Sequence, residues 1–217
     1  MVEGREVNIA SQIRGALDAS QAKAFICFGT LLFWVRDRKF NAESDIDLGF
    51  VGGDPNQILE AFSQTFSPVY VVRDDQYGTP LNANLVSEYH GCSIDLYFWR
   101  KKNGMYYHCY DRDHVHPANG VLPEYEFKGI PATCFDAKDE DIAAFQKDLR
   151  YSAGLSNFGT WLRPLPQCPE EGVDLPLPYR YGECLDYWYP DWFTPRSQFG
   201  VSECAHKFTV KSCRDQI

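Results

Sequence analysis

The chain reads as an α+β fold, a mixed β-sheet flanked by helices. Short apolar runs of strand length recur at Ala24–Phe28, Asp45–Val51, Val69–Arg73, Leu81–Tyr89, Cys92–Trp99 and Met105–Tyr110, and three of them carry polar residues at every second position. Helical spacing shows between the early runs and not the later ones. Seven of the thirteen prolines and three of the five tryptophans fall between positions 161 and 195, which marks a change of texture. Residues 1–164 are therefore expected to form the domain, and 165–217 an irregular aromatic- and proline-rich extension packed on it.

Taken in order, Val7–Ala22 places Ile9, Ile13, Ala16 and Leu17 on one side of a helix and leads into a buried strand from Ala24. Gly29-Thr30 breaks that run at a strand-to-helix turn, and Leu31–Asp37 is expected to be helical. The first amides of such a turn lack intrahelical acceptors and suit phosphate oxygens. Asp45–Val51 is the next strand. Asp54-Pro55 then starts a helix to about Phe66, with Asp54 as its cap and proline in the first turn. Leu81–Tyr89, Cys92–Trp99 and Met105–Tyr110 make an antiparallel meander, Tyr125–Ile130 a further strand, and Asp136–Leu149 a helix entered through Asp139-Glu140-Asp141.

Composition narrows the class. At 44% hydrophobic the 217 residues can bury a full core. A net charge of −9 and a pI near 5.0 weigh against nucleic acid, whose phosphates demand surplus Lys and Arg. No apolar run approaches the roughly 20 residues of a membrane-spanning helix, and Met1–Ala10 lacks the basic start and apolar stretch of a secretory signal. A cytoplasmic protein is expected, with a trimmed lumenal domain as the alternative. The eight cysteines show no Cys-x-x-Cys pair. Cys27 and Cys92 read as buried packing residues, as do most of the rest, with disulfides or a structural zinc among Cys168, Cys184, Cys204 and Cys213 as the alternative.

The chemistry concentrates in three acids. Asp45 and Asp47, two apart in one strand, project to one face about 7 Å apart while Ile46 and Leu48 face the core. Asp95 lies in the equally apolar run Ile94–Trp99. If the strands pair, three carboxylates meet and raise one another's pKa unless a divalent cation separates them. Asp45, Asp47 and Asp95 are thus the expected metal ligands and catalytic residues, and Gly29 and Thr30 the expected phosphate contacts.

Gly29-Thr30 followed after fourteen residues by Asp45-x-Asp47, with Asp95 as third carboxylate, resembles the signature of nucleotidyltransferases with the DNA polymerase β-like fold. Gly29-Thr30-Leu31-Leu32-Phe33-Trp34-Val35-Arg36, Asp45-Ile46-Asp47-Leu48-Gly49-Phe50 and Ile94-Asp95-Leu96-Tyr97-Phe98 resemble more narrowly the LicD/fukutin family within that superfamily. Phe127-Lys128-Gly129-Ile130-Pro131 resembles the element before that family's last helix, so the likeness covers roughly residues 5–164. Of two candidates for the family's late Tyr-Gly-x-x-Trp element, Phe158-Gly159-Thr160-Trp161 is preferred over Tyr181-Gly182 ahead of Trp188. The chain departs from the family in carrying Asn41-Ala42-Glu43-Ser44 where an acidic Ile-Pro-Trp-Asp-Asp is usual.

The resemblance implies a polymerase β-like sheet and transfer of a phosphoalcohol such as phosphocholine or ribitol phosphate from a CDP-alcohol to a carbohydrate or glycoconjugate hydroxyl. It implies Mg²⁺, or Mn²⁺ in its place, held by Asp45, Asp47 and Asp95, and makes Arg36 a substrate contact. The alternative for Arg36 is a surface pairing with Asp37 or a neighbouring acid. The alternatives for the whole are an NTP-dependent nucleotidyltransferase acting on a small molecule or protein, and a non-catalytic nucleotide- or glycan-binding module. His108, His114 and His116 with Asp111 and Asp113 read as a solvated loop rather than a metal site. Glu88 and His90 flank a turn at Gly91. Tyr187, Trp188, Tyr189, Trp192 and Phe193 read as packing of the tail rather than a sugar platform.

Overall fold

The computed structural model describes residues 9–37, 45–73, 78–110, 125–132, 178, 180–189, 191–194 and 207–210. Helices α1 (Ile9–Ser20) and α3 (Pro55–Ser63) and strands β1 (Ala24–Ile26), β2 (Asp45–Val51), β3 (Ser67–Arg73), β4 (Pro80–Val86) and β5 (Ser93–Lys102) make the first part. Between β1 and β2 lies α2 (Phe28–Leu32), running directly into a π-helical turn at Phe33–Asp37. Strands β6 (Met105–Tyr110) and β7 (Tyr125–Pro131), helix α4 (Tyr181–Trp188) and strand β8 (Lys207–Val210) follow.

The architecture is α+β with one mixed, curling sheet. Its main path runs β1-β2-β5-β6-β7-β8, and β4 and β3 extend from the other edge of β5. Among the described residues only β2 and β5 pair in parallel; the other pairs are antiparallel. Strand β5 serves two neighbourhoods. Ser93–Tyr97 lie between β2 and β4, whereas Arg100–Lys102 pair with β6.

Alternation along the strands gives this sheet two unlike faces. Ile46, Leu48 and Phe50 of β2, Ile94, Leu96 and Phe98 of β5, and Leu81, Ala83 and Leu85 of β4 are buried. The same core holds Ile9, Ile13, Ala16 and Leu17 of α1 and Ile58, Leu59 and Phe62 of α3. Phe50 ties the layers together, edge-on to Phe62 at 5.6 Å and stacked on Phe98 at 5.7 Å. Each such side chain, fully buried, contributes about 1.5–3 kcal/mol. Asp54 caps α3 by accepting the Asn56 amide at 2.9 Å, with Pro55 in the first turn.

The opposite face is polar at one end and aromatic at the other. At the aromatic end Phe28 packs on Trp188 at 4.7 Å, His108 at 4.9 Å and Tyr97 at 5.0 Å, with Trp99 at 6.2 Å. Phe25 lies over Gly49 and beside Trp99.

Several expectations change in detail. Within the extension expected to be irregular, Tyr181–Trp188 is helical and Lys207–Val210 is a strand paired with β7. The reason is local: Tyr181–Trp188 contains no proline and buries Cys184, Leu185 and Trp188 at helical spacing. The helix expected from Leu31 starts at Phe28 and changes to π geometry at Phe33. Phe28, at the start of that helix, has a left-handed φ of 43°. His108 is fully buried, not in a solvated loop. The helix expected over Asp136–Leu149, the stretch His114–His116 and the Phe158–Trp161 element lie outside the described residues. Cys27, Cys92, Cys109 and Cys184 are buried and take part in no disulfide; Cys168, Cys204 and Cys213 are not among the described residues. Among the described residues no helix is long and apolar enough to cross a membrane.

Glycine substitutions test this packing. A β-carbon on Gly49 would overlap the buried Phe25 ring, whereas one on Gly15, in exposed mid-α1, meets nothing within 4 Å. In urea unfolding Gly49→Ala is expected to cost about 1–3 kcal/mol. Gly15→Ala is expected to gain about 0.5–1 kcal/mol, because glycine in a helix interior carries the larger entropy loss.

Candidate metal centre

Parallel pairing of β2 with β5 sets Asp47 directly opposite Asp95, and Asp45 opposite Ser93. Neighbouring strands lie about 4.8 Å apart, so register alone brings the two carboxylates together. Asp45, two residues before Asp47, joins them from the same face. One carboxylate oxygen from each of the three lies within 4.8 Å of the others. Asp45 is exposed, Asp95 half-buried and Asp47 only 5% exposed, so the cluster runs from the surface inward.

The turn after β1 closes over this cluster. β1 ends at Ile26, and the Cys27 amide still donates to the Asp47 carbonyl at 3.1 Å. Beyond that point Thr30 replaces the missing strand. Its hydroxyl accepts the Asp47 amide at 2.7 Å and donates to the Asp45 carbonyl at 3.5 Å, satisfying backbone groups that burial would otherwise leave orphaned. The Thr30 amide donates to Asp47 Oδ2 at 3.4 Å.

This close approach is made by Phe28, whose positive φ is an unfavourable conformation for a bulky residue. Its ring, only 3% exposed among Tyr97, His108, Trp99 and Trp188, holds the turn in place. Gly29 is not under conformational demand. A β-carbon there would stand 3.5 Å from Asp47 Oδ2, an ordinary contact that nonetheless projects toward the carboxylate.

Two unit charges about 4 Å apart repel by about 4 kcal/mol at an effective dielectric of about 20, comparable with a large share of a domain's net stability. The consequence falls on Asp47. Burial first, and then the charges of Asp95 and Asp45, push its carboxyl well above the usual carboxylate range, against the opposing hydrogen bonds from Thr30 and Tyr97. The charges acting on it are both of its own sign. Tyr97 is raised as well, by burial and then by Asp47 and Asp95; it keeps its proton and donates to Asp47 Oδ1 at 3.4 Å. Cys27, behind the cluster, is likewise held as the thiol, chiefly by burial. Three acids converging, with no counter-charge on the buried one among the described residues, fit a hard divalent cation, which takes oxygen ligands.

The six residues expected at the site divide in two. Asp45, Asp47 and Asp95 converge, and Gly29 and Thr30 lie against them. Arg36 instead forks onto Asp37, Nε to Oδ1 at 2.7 Å and Nη2 to Oδ2 at 2.6 Å, the ion pair that was the alternative for it. Glu88 accepts from Ser67 Oγ at 2.7 Å, and neither Glu88 nor His90 belongs to the carboxylate cluster.

Three further polar residues on this face were not singled out in the sequence. Asn84 pairs with Asp95 in register, and Asn82 with Tyr97. Asn82 is 4% exposed, and its Oδ1 has no hydrogen-bond partner among the described residues. The signal that marks them is the one that marked Asp45 and Asp47. Asn82 and Asn84 alternate with Leu81, Ala83 and Leu85, as Asp95 and Tyr97 alternate with Ile94, Leu96 and Phe98.

The raised Asp47 carboxyl ties stability to pH. Below the ordinary aspartate pKa of about 3.9 both folded and unfolded chains hold the proton. As pH rises the unfolded chain releases it first, so the folded state is progressively penalised until its own higher pKa is passed. In metal-free buffer the parent should therefore lose stability relative to Asp47→Asn as pH is raised from about 4 to 8. The amide variant, which keeps an acceptor for Thr30 or Tyr97, should melt at or above the parent at pH 8. Paired thermal melts across that range check this.

No family model matches the chain, and no curated protein matches it.

Proposed function

We propose that the chain is a metal-dependent phosphotransferase that moves a phosphoalcohol group, of phosphocholine or ribitol phosphate type, from a CDP-alcohol to a carbohydrate hydroxyl. The observation that carries the reading is the meeting of Asp45, Asp47 and Asp95 within 4.8 Å beneath the Gly29-Thr30 turn. The donor class rests on the resemblance of Gly29–Arg36, Asp45–Phe50 and Ile94–Phe98 to the LicD/fukutin family, and the polymerase β-like fold belongs to the same proposal.

Asp45, Asp47 and Asp95 would hold Mg²⁺ or Mn²⁺, which when bound neutralises phosphate oxygens and the charge of the leaving group. The acceptor oxygen attacks the phosphorus next to the alcohol, the bond from that phosphorus to CMP breaks, and the hydroxyl proton passes to a carboxylate such as Asp95 or to water. The products are a phosphodiester and CMP. The chain's own share is positioning and exclusion of water. Gly29 keeps the space before Asp47 open, exposed Asp45 marks the side of entry, and Asn82 Oδ1 offers a buried acceptor on the face where a hydroxyl would lie. Phosphate contact by Arg36 would come beside its Asp37 pair, which uses Nε and Nη2, or in exchange for it.

A donor screen tests the reading. With Mg²⁺ and a glycan acceptor, CDP-choline or CDP-ribitol should yield CMP. Pyrophosphate from NTPs alone would turn the assignment to a nucleotidyltransferase, and nucleotide binding without turnover would make the chain a binding module. Gly29→Ala separates site from fold: its melting temperature should match or exceed the parent's, since alanine suits a helix better, while CMP release falls about tenfold or more.

A further inference from the structure

We propose that Asn84 is a positioning residue of the acidic centre, setting the Asp95 carboxylate in the plane that lets it share a cation with Asp45 and Asp47. The inference rests on the metal-site reading above and adds a residue to it. Asn84 lies on β4, across β5 from β2, so Asp47, Asp95, Asn84 and Tyr70 form one row over four strands by register. Its Nδ2 donates to Asp95 Oδ1 at 2.6 Å and also to Ser93 Oγ. An ionised carboxylate only accepts, and this determines which way the amide faces: its nitrogen points at the cluster.

A half-buried aspartate turns about χ2 over a broad range. A donor gripping one oxygen removes that freedom, as the hydrogen-bond partners of metal-binding carboxylates do in general. Tyr97 does the same for Asp47 through Oδ1, and the Thr30 amide through Oδ2. Each inner carboxylate of the cluster is thus held by a neutral donor. A neutral donor orients the oxygen without supplying a positive charge that would compete with a cation. The orphaned Oδ1 of buried Asn82, on the same strand and face, is an independent sign that this face is built for a ligand.

The test is Mn²⁺ binding by the whole chain, read by electron paramagnetic resonance of the free ion, in the parent and in Asn84→Leu, Asn84→Thr and Ser93→Ala. Leucine matches the amide in shape and removes the donor; threonine restores a hydroxyl donor. Asn84→Leu is expected to weaken Mn²⁺ binding about tenfold or more, while its metal-free melting temperature stays near the parent's. Asn84→Thr should recover most of that loss, and Ser93→Ala, which only loosens the amide, should lose about threefold. Should Asn84→Leu fail to fold, Ser93→Ala reads the effect, and unchanged affinity there would overturn the positioning role. With Asn84→Leu folded, unchanged affinity in it, or equal losses with leucine and threonine, would overturn that role and leave the metal site standing. A parent chain that binds no Mn²⁺ would overturn both.

Discussion

The parallel register of β2 against β5 is the constraint on which the rest depends. Side chains in a strand alternate with a period of two, so one register sends Ile46, Leu48, Phe50, Ile94, Leu96 and Phe98 into the core and the acids out of it. A slip of one residue in either strand would turn that strand's acids into the main core and expose its apolar set. The hydrophobic energy of that core therefore holds three like charges together. Their repulsion is imposed by packing, and Asp47, the most deeply buried of them, responds with its raised pKa.

Around that pairing the other elements share two tasks. Helices α1 and α3 complete the apolar side, and the aromatic cluster of Phe28, Tyr97, Trp99, His108 and Trp188 closes the far end of the acidic side. The second cluster explains why an unfavourable backbone conformation is tolerated at Phe28. Such a conformation costs on the order of 1–3 kcal/mol, and burial of a phenylalanine ring returns about as much. The result is a turn tight enough for Thr30 to bond to β2 where β1 has ended.

The polar residues form a graded set. Asp47 is the deepest, gripped through both oxygens; Asp95 is half-buried and gripped by Asn84; Asp45 stands at the surface. On the proposed function, Asp47 and Asp95 would be the oriented ligands within and Asp45 the ligand nearest solvent. Arg36 stands apart in this scheme, with Nε and Nη2 engaged by Asp37.

Much of this was legible in the residues themselves. Strands β2, β4, β5, β6 and β7, the capped helix α3 and the common face of Asp45 and Asp47 follow from alternation, turn residues and capping chemistry, which act over a few neighbours. The approach of Asp95, forty-eight residues from Asp47, depended on which strands pair. No local pattern distinguishes β5 beside β2 from β5 elsewhere in the sheet, so only the tertiary structure decided it. The same holds for the helix Tyr181–Trp188 seated on Phe28, for the positive φ falling on Phe28 rather than Gly29, for the burial of His108, and for Asn84 facing Asp95. Alternation, capping and charge repulsion are short-range and are written in adjacent residues. Burial and register are properties of the packed whole, and these decided which polar side chains met.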